Sequence, residues 1–318
     1  MMRIFKSLFG QNEPEKPEDS ENKNKKRNFD ILKYDGIKAL KIGKTGYAVR
    51  CFNEALALEE DPETLAYLGA AYLQLNEAEE AIDAYTRLFT IDPSQTDALL
   101  SRANLYFTEG KTEKAVEDCN QLISIDARDY RPFLLRGRAL KALNRLEEAL
   151  ADLDQALSLR SDSTDAYLQR AALELDMQKY EAALRDAEQA ISLSPEEENA
   201  FLLSARICEA RQNTEEALHH YATVLSLNPF NESAYLESAR LLTENNRTEE
   251  ALRLFQEALE IKPDFARAYF VRAKIYESLG NRTAALEDLK KGEELRADSE
   301  EEGGQPVNFN DMYANRPL

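Results

Sequence analysis

Arg206, Arg240 and Lys274 follow one another at one constant spacing, and Arg138 precedes Arg206 by twice that spacing. The chain of 318 residues carries 40 basic against 59 acidic side chains, a net charge of −19. A row of cations in such a chain is a candidate for gripping carboxylates, because a guanidinium offers planar, paired donors. A second register looks structural. Arg102, Arg136, Arg170 and Arg272 are each followed, at one identical offset, by Asp118, Asp152, Asp186 and Asp288. Where the Arg is replaced, as at Leu68, Ser204 and Ser238, the Asp is replaced too, by Ala84, His220 and Leu254. The covariation predicts an Arg-carboxylate fork joining two helices.

Other chemistry is sparse. Cys51, Cys119 and Cys208 are an odd, scattered set, which fits small buried hydrophobes in a reducing, cytoplasmic compartment better than a disulfide framework. His219 and His220 are the only histidines, and neighbours on a helix point about 100° apart, so no metal site is expected. There is no Gly-rich phosphate loop, no nucleophile elbow and no triad spacing, so neither catalysis nor a cofactor is expected. The acidic balance disfavours nucleic acid, whose phosphates it repels.

These residues are positioned by a repeat. Ala48, Ala81, Ala115, Ala149, Ala183, Ala217, Ala251 and Ala285 recur at a nearly constant interval of about 34 residues, a period that marks an array of stacked supersecondary units. Only the first step is shorter, by a single position. With this alanine counted as position twenty, position eight is Gly36, Gly69, Ala103, Gly137, Ala171, Ala205, Ala239 and Ala273. Two small residues per unit allow two helices to approach closely. Position four (Leu32, Leu65, Leu99, Phe133, Tyr167, Phe201, Tyr235, Tyr269) and position twenty-four (Phe52 and Tyr85 among others) fill the space between them. Pro93, Pro195, Pro229 and Pro263 at position thirty-two stop the second helix, while Ala127 and Ser161 replace proline in the third and fourth units. Glu pairs such as Glu79-Glu80 and Glu215-Glu216 fall in the first turn of second helices, where negative charge suits the helix dipole.

In these residues the chain strongly resembles the tetratricopeptide repeat family, with eight copies over residues 29–297. The resemblance implies an all-α fold, a right-handed solenoid of helix-turn-helix units winding through close to a full superhelical turn, with each unit touching only its neighbours. It also implies a concave groove lined by the first helices. There position nine reads Ile37, Ala70, Asn104, Arg138, Ala172, Arg206, Arg240 and Lys274. Position six gives Tyr34 and Tyr67, and position five gives Leu100, Leu134, Leu168, Leu202, Leu236 and Phe270. The candidate groove residues are therefore Tyr34, Tyr67, Asn104, Arg138, Arg206, Arg240 and Lys274, suited to an extended peptide with an acidic segment or a C-terminal carboxylate. A competing reading has Arg206, Arg240 and Lys274 paired within their own helices to Glu209, Glu244 and Glu277. The family's carboxylate clamp, Lys at position five with Asn at position nine, is missing: Lys33 is followed by Ile37, and Asn104 is preceded by Leu100.

The ends differ. Residues 11–28 are charged and proline-containing, so residues 1–28 are expected to be disordered, with a short amphipathic start (Met1, Met2, Ile4, Phe5, Leu8, Phe9). Residues 298–318 read as an acidic flexible tail whose Val307, Phe309, Met312 and Tyr313 are candidates to cover the last repeat. The expected function is a non-catalytic adaptor that binds a protein segment. The alternative is a membrane-surface assembly factor tethered through residues 1–9 and aided by Lys23, Lys25, Lys26 and Arg27.

Overall fold

A computed structural model describes residues 17–301, with side chains described from 22 to 297. The chain divides after Ser161 into two compact units. The first holds α1 (Pro17–Lys41), α2 (Thr45–Leu58), α3 (Pro62–Gln74), α4 (Ala78–Ile91), α5 (Thr96–Thr108), α6 (Thr112–Ile125), α7 (Tyr130–Ala142) and α8 (Leu146–Leu159). The second holds α9 (Thr164–Asp176), α10 (Tyr180–Leu193), α11 (Glu198–Ala210), α12 (Thr214–Leu227), α13 (Glu232–Glu244), α14 (Thr248–Ile261), α15 (Ala266–Ser278) and α16 (Arg282–Glu301). Among the described residues there is no strand. Within each unit, consecutive helices pack pairwise and each pair stacks on the next.

The repeat register sets nearly every boundary. Each first helix after α1 begins at position one, and every second helix begins at position seventeen. Second helices before α16 end at position thirty whether proline follows, as after α4, or does not, as after α6 and α8. Position-twenty alanines are fully buried from Ala48 to Ala251, and Ala285 is 1% exposed. The small residue at position eight faces the large one at position twenty-four. A Cβ added to Gly36 would lie 2.5 Å from the Phe52 ring, and one added to Gly69 would lie 2.7 Å from Tyr85. Close approach of α1 to α2 and of α3 to α4 thus requires glycine, because the ring occupies the space of the missing methyl.

The turn inside each pair is specified at position fifteen. Gly43, Asn76, Gly110, Asn144, Gln178, Gln212, Asn246 and Gly280 all have positive φ, between 58° and 75°. The next N–H then reaches back to the closing turn of the first helix, as in Glu77 to Tyr72 O at 3.0 Å and Asn213 to Cys208 O at 2.9 Å. Glycine and asparagine tolerate this conformation, whereas Gln178 and Gln212 hold it at a cost.

The structure departs from the sequence reading at both ends. α1 starts at Pro17, so residues 17–28, expected to be disordered, are helical. Pro17 suits the first helical position, and the run of Glu, Lys and Arg favours helix without needing a core; residues 22–28 are exposed. At the other end α16 continues to Glu301, and Gly292 is where the Phe270 ring presses on the helix, 2.9 Å from the position of a Cβ. Residues 1–9 and the apolar tail residues Val307 to Tyr313 lie outside the described residues.

Candidate functional site

Four Arg-Asp forks form as the covariation predicts. Arg102 donates to both oxygens of Asp118 at 2.8 and 2.7 Å, Arg136 to Asp152 at 2.7 and 2.6 Å, Arg170 to Asp186 at 2.6 and 2.8 Å, and Arg272 to Asp288 at 2.7 and 2.7 Å. Each joins the first helix of a repeat to the second. The carboxylate bonds hold the Arg102, Arg136 and Arg272 guanidiniums above their ordinary pKa, against the opposing effect of burial. A third donor of Arg102 reaches Thr86, and one of Arg136 reaches Asn120, so the forks also touch the preceding repeat.

A groove of about 840 Å³ lies in the second unit, over α9, α11 and α13. Its floor is apolar: Leu168, Ala172, Leu175, Leu202 and Leu203. Asp165, Gln169, Asn199, Arg206, Glu209, Tyr221, Ser233 and Glu237 supply the polar lining. The position-nine cations do not behave alike. Arg240 is held by Glu237 at 2.8 Å, by Glu244 at 2.8 Å and by Glu209 of the preceding repeat. Burial alone would lower its pKa, but the bonds to Glu237 and Glu244 and the charge of Glu209 raise it. Tyr221 donates to the other oxygen of Glu209 at 2.5 Å, and burial, followed by Glu209, pushes its phenol up. Glu209 is therefore occupied by Tyr221 and Arg240 and not by Arg206, contrary to one expectation from the sequence. The Arg240-Glu244 pair forms as the competing reading requires.

Arg206 is exposed at the groove and, among the described residues, has no ion pair; Lys274 is likewise exposed and unpaired with Glu277. Asp165, Glu209 and Glu237 stand beside Arg206 in the groove, so its lining carries charges of both signs. It offers one available guanidinium in a mixed polar rim. In the first unit, Arg138 lies over the Phe107 ring, 5.1 Å from its centre. Asn104 donates to Leu100 O at 2.9 Å and lines a smaller recess of about 540 Å³ with Leu73 and Leu105. Tyr67 is stacked on Phe52 at 5.9 Å and serves the core as much as the surface, whereas Tyr34 is 65% exposed.

Charges missed in the sequence link successive repeats. Lys111 reaches Glu79 at 2.6 Å and Arg247 reaches Glu215 at 2.7 Å, each from position sixteen to position eighteen of the repeat before. These first-turn glutamates thus pair across repeats besides facing a helix dipole. Lys33 bonds both Asp61 and Glu63, at 2.8 and 2.6 Å.

Profiles of the tetratricopeptide repeat match residues 36–96 and 168–232, 96–129 and 130–163, and 209–275 with 242–302. The chain belongs to the tetratricopeptide repeat family. A tetratricopeptide repeat protein from Parabacteroides merdae ATCC 43184 superposes with a TM-score of 0.62 at 21% identity, over 84% of this chain and 99% of that one. PilF of Pseudomonas aeruginosa gives 0.54 at 16% identity, over 67% and 97%. At these identities the likeness concerns the fold. No curated protein sequence matches alongside them.

One constellation in the sixth tetratricopeptide repeat escaped sequence reasoning. Cys208 on α11 and Glu216 and His220 on α12 bring a sulfur, a carboxylate oxygen and an imidazole nitrogen within 4.8 Å of one another. Burial, then the Glu216 charge, pushes the Cys208 thiol up to about 12, and burial lowers the pKa of His220. The signal was present as Glu-x-x-x-His, which places both side chains on one face of a helix. All three cysteines are free and buried.

Proposed function

We propose that this tetratricopeptide array is a protein-interaction scaffold that takes an extended peptide segment of its partner in the groove over α9, α11 and α13. The supporting observation is the combination of an apolar floor, Leu168, Ala172, Leu175 and Leu202, with the unpaired Arg206 at its rim. A peptide that places an apolar side chain on the leucines can direct one carboxylate, from Asp, Glu or a chain terminus, to Arg206. Asn199 and Gln169 offer donors and acceptors to its backbone. The acidic neighbours Asp165 and Glu237 disfavour a long acidic stretch and favour a single, placed negative group.

Selection of peptides from a random displayed library against the full chain tests this reading. Selected peptides should carry an apolar residue near one carboxylate. They should lose at least about tenfold in affinity to Leu202→Asp and to Arg206→Gln, since burying an apolar anchor and a charge-assisted bond each contribute that order. Arg253→Gln, at an exposed side chain outside the groove, should leave affinity unchanged. Peptides that bind both groove variants undiminished would refute it. No described helix is long and apolar enough to cross a membrane.

A further inference from the structure

In the sixth repeat the fork is missing: position seven is Ser204 and position twenty-three is His220. The Ser204 hydroxyl donates to its own helix, to Ala200 O at 2.9 Å, so it does not replace the lost cross-link. Beside this position stand Cys208 and Glu216, a combination with His that no other repeat assembles among the described residues. The local hydrogen bonds leave the group incomplete. Asn213, which closes the turn between the two helices, donates to one Glu216 oxygen at 2.6 Å. The Glu216 carboxylate stands beside the Cys208 thiol, within 4.8 Å. His220 Nδ1, however, is buried with no hydrogen-bond partner, which is uncommon for a polar side-chain atom.

We propose that Cys208, Glu216 and His220 bind a zinc ion that cross-links α11 and α12 where four other repeats use an Arg-Asp fork. Tetrahedral zinc has bonds of about 2.0–2.3 Å, so its ligand atoms sit roughly 3.3–3.8 Å apart. The three donors lie within 4.8 Å, and the difference is within reach of side-chain rotation by Glu216 and His220, which are half-buried. A thiolate and an imidazole select a borderline-soft ion over calcium or magnesium, which prefer oxygen alone. Binding replaces the thiol proton by the metal, Cys–SH and Zn²⁺ giving Cys–S–Zn and H⁺, with the proton released to water. The thiolate and the Glu216 carboxylate then balance the charge of the ion. The buried lone pair of His220 Nδ1 becomes a metal bond, and water takes the fourth position. The exposed Glu188 of α10 adds negative charge near both Cys208 and His220. The turn that sets the spacing is already rigid, through the Cys208 carbonyl to Asn213 N–H bond and the Asn213 cap on Glu216 N–H.

Titration of the reduced full chain with zinc against a chromophoric chelator should show one tight site. Cobalt in place of zinc should give a thiolate-to-cobalt charge-transfer band together with the intense visible bands of tetrahedral cobalt. Glu216→Gln and His220→Gln should each weaken zinc binding by about tenfold or more with helix content unchanged. Cys208→Ala should abolish the charge-transfer band, whereas Cys119→Ala should not. Should Cys208→Ala fail to fold, the two half-buried variants carry the test unaided. Absence of tight zinc binding, zinc retained equally by Glu216→Gln and His220→Gln, or cobalt bound without a thiolate band would each overturn the proposal. The last two would assign the metal to surface carboxylates.

Discussion

Asp152→Ala tests whether the forks hold the helix pairs together. In the native chain Arg136 makes two bonds to Asp152, at 2.7 and 2.6 Å, and one to Asn120 at 2.6 Å, with the Phe133 ring 5.6 Å from its guanidinium. Asp152 is 8% exposed and Arg136 21%. Removing one partner of a fully buried pair costs about 3–5 kcal/mol, and an exposed pair is worth only about 0–1 kcal/mol. Arg136 keeps Asn120 and some water, so the expected loss lies between these limits, at about 2 kcal/mol. The second repeat shows how the site manages without charge, with Leu68 and Ala84 in the same places. Arg136→Leu combined with Asp152→Ala should therefore cost less than Asp152→Ala alone, because no charge is stranded. A double-mutant cycle read by urea unfolding should give a coupling of about 1–2 kcal/mol. Hydrogen exchange should place the loss in α7 and α8, since solenoid units respond locally. Coupling below about 0.5 kcal/mol, the error of additivity, would refute the reasoning, as would an unchanged exchange rate in these helices.

The two groove arginines should separate cleanly. Arg240→Gln leaves Glu209, Glu237 and Glu244 without their shared cation and should destabilise by about 1–2 kcal/mol, whereas Arg206→Gln should leave the thermal midpoint unchanged and act only on peptide binding; equal effects on stability would contradict the assignment. Gln178→Gly relieves a left-handed residue (φ 58°) and should stabilise by about 0.5–1 kcal/mol, with destabilisation by thermal unfolding refuting the strain argument. Burial alone would raise the pKa of Asp61, but its bonds from Lys33 and Thr64 hold the carboxyl below the usual range; burial alone would lower the pKa of Lys33, but Asp61 and Glu63 together raise it. Below the ordinary Asp value of 3.8 the unfolded chain takes up protons before the folded one, so this contribution is present above that pH and fades as pH falls through the lower folded value. At alkaline pH the Lys33 contribution is full up to its ordinary value of 10.5 and is lost as pH rises through the higher folded value. Asp61→Asn should flatten the acid limb of thermal midpoint against pH; an unchanged acid limb would refute the role of the pair.

Much of the fold is legible because its determinants are local and repeated along the chain. The alanine at position twenty and the small residue at position eight register two helices against each other, and the covarying Arg102-Asp118 type of pair reports a contact that one copy alone would not reveal. What escapes is information carried by the backbone or by a single copy. Gln178 and Gln212 give no hint of a left-handed turn, and only their alignment with Gly43, Asn76 and Gly110 does so. The helix at residues 17–28 escapes because low apolar content predicts absence of a core, which is true of the exposed residues 22–28, and not absence of helix, which Pro17 and the charged run support.

The groove shows why a register of like charges does not define a site. Position nine places Arg206, Arg240 and Lys274 in one row, yet each cation's availability depends on carboxylates of its own and the preceding repeat, which the row itself does not encode. Glu209 decides the matter in the second unit. By accepting Tyr221 and Arg240 together it fixes Arg240 as a structural cross-link between α11 and α13, and it leaves Arg206 as the guanidinium open to a ligand. Replacing Glu209 by Gln should then redistribute function as well as stability. Arg240 would keep Glu237 and Glu244 but lose its hold on α11, and the groove would gain positive charge. Acidic peptides should associate faster, with a steeper dependence on salt. An association rate for acidic peptides that stays the same in Glu209→Gln would show that the carboxylate does not govern the field of the groove.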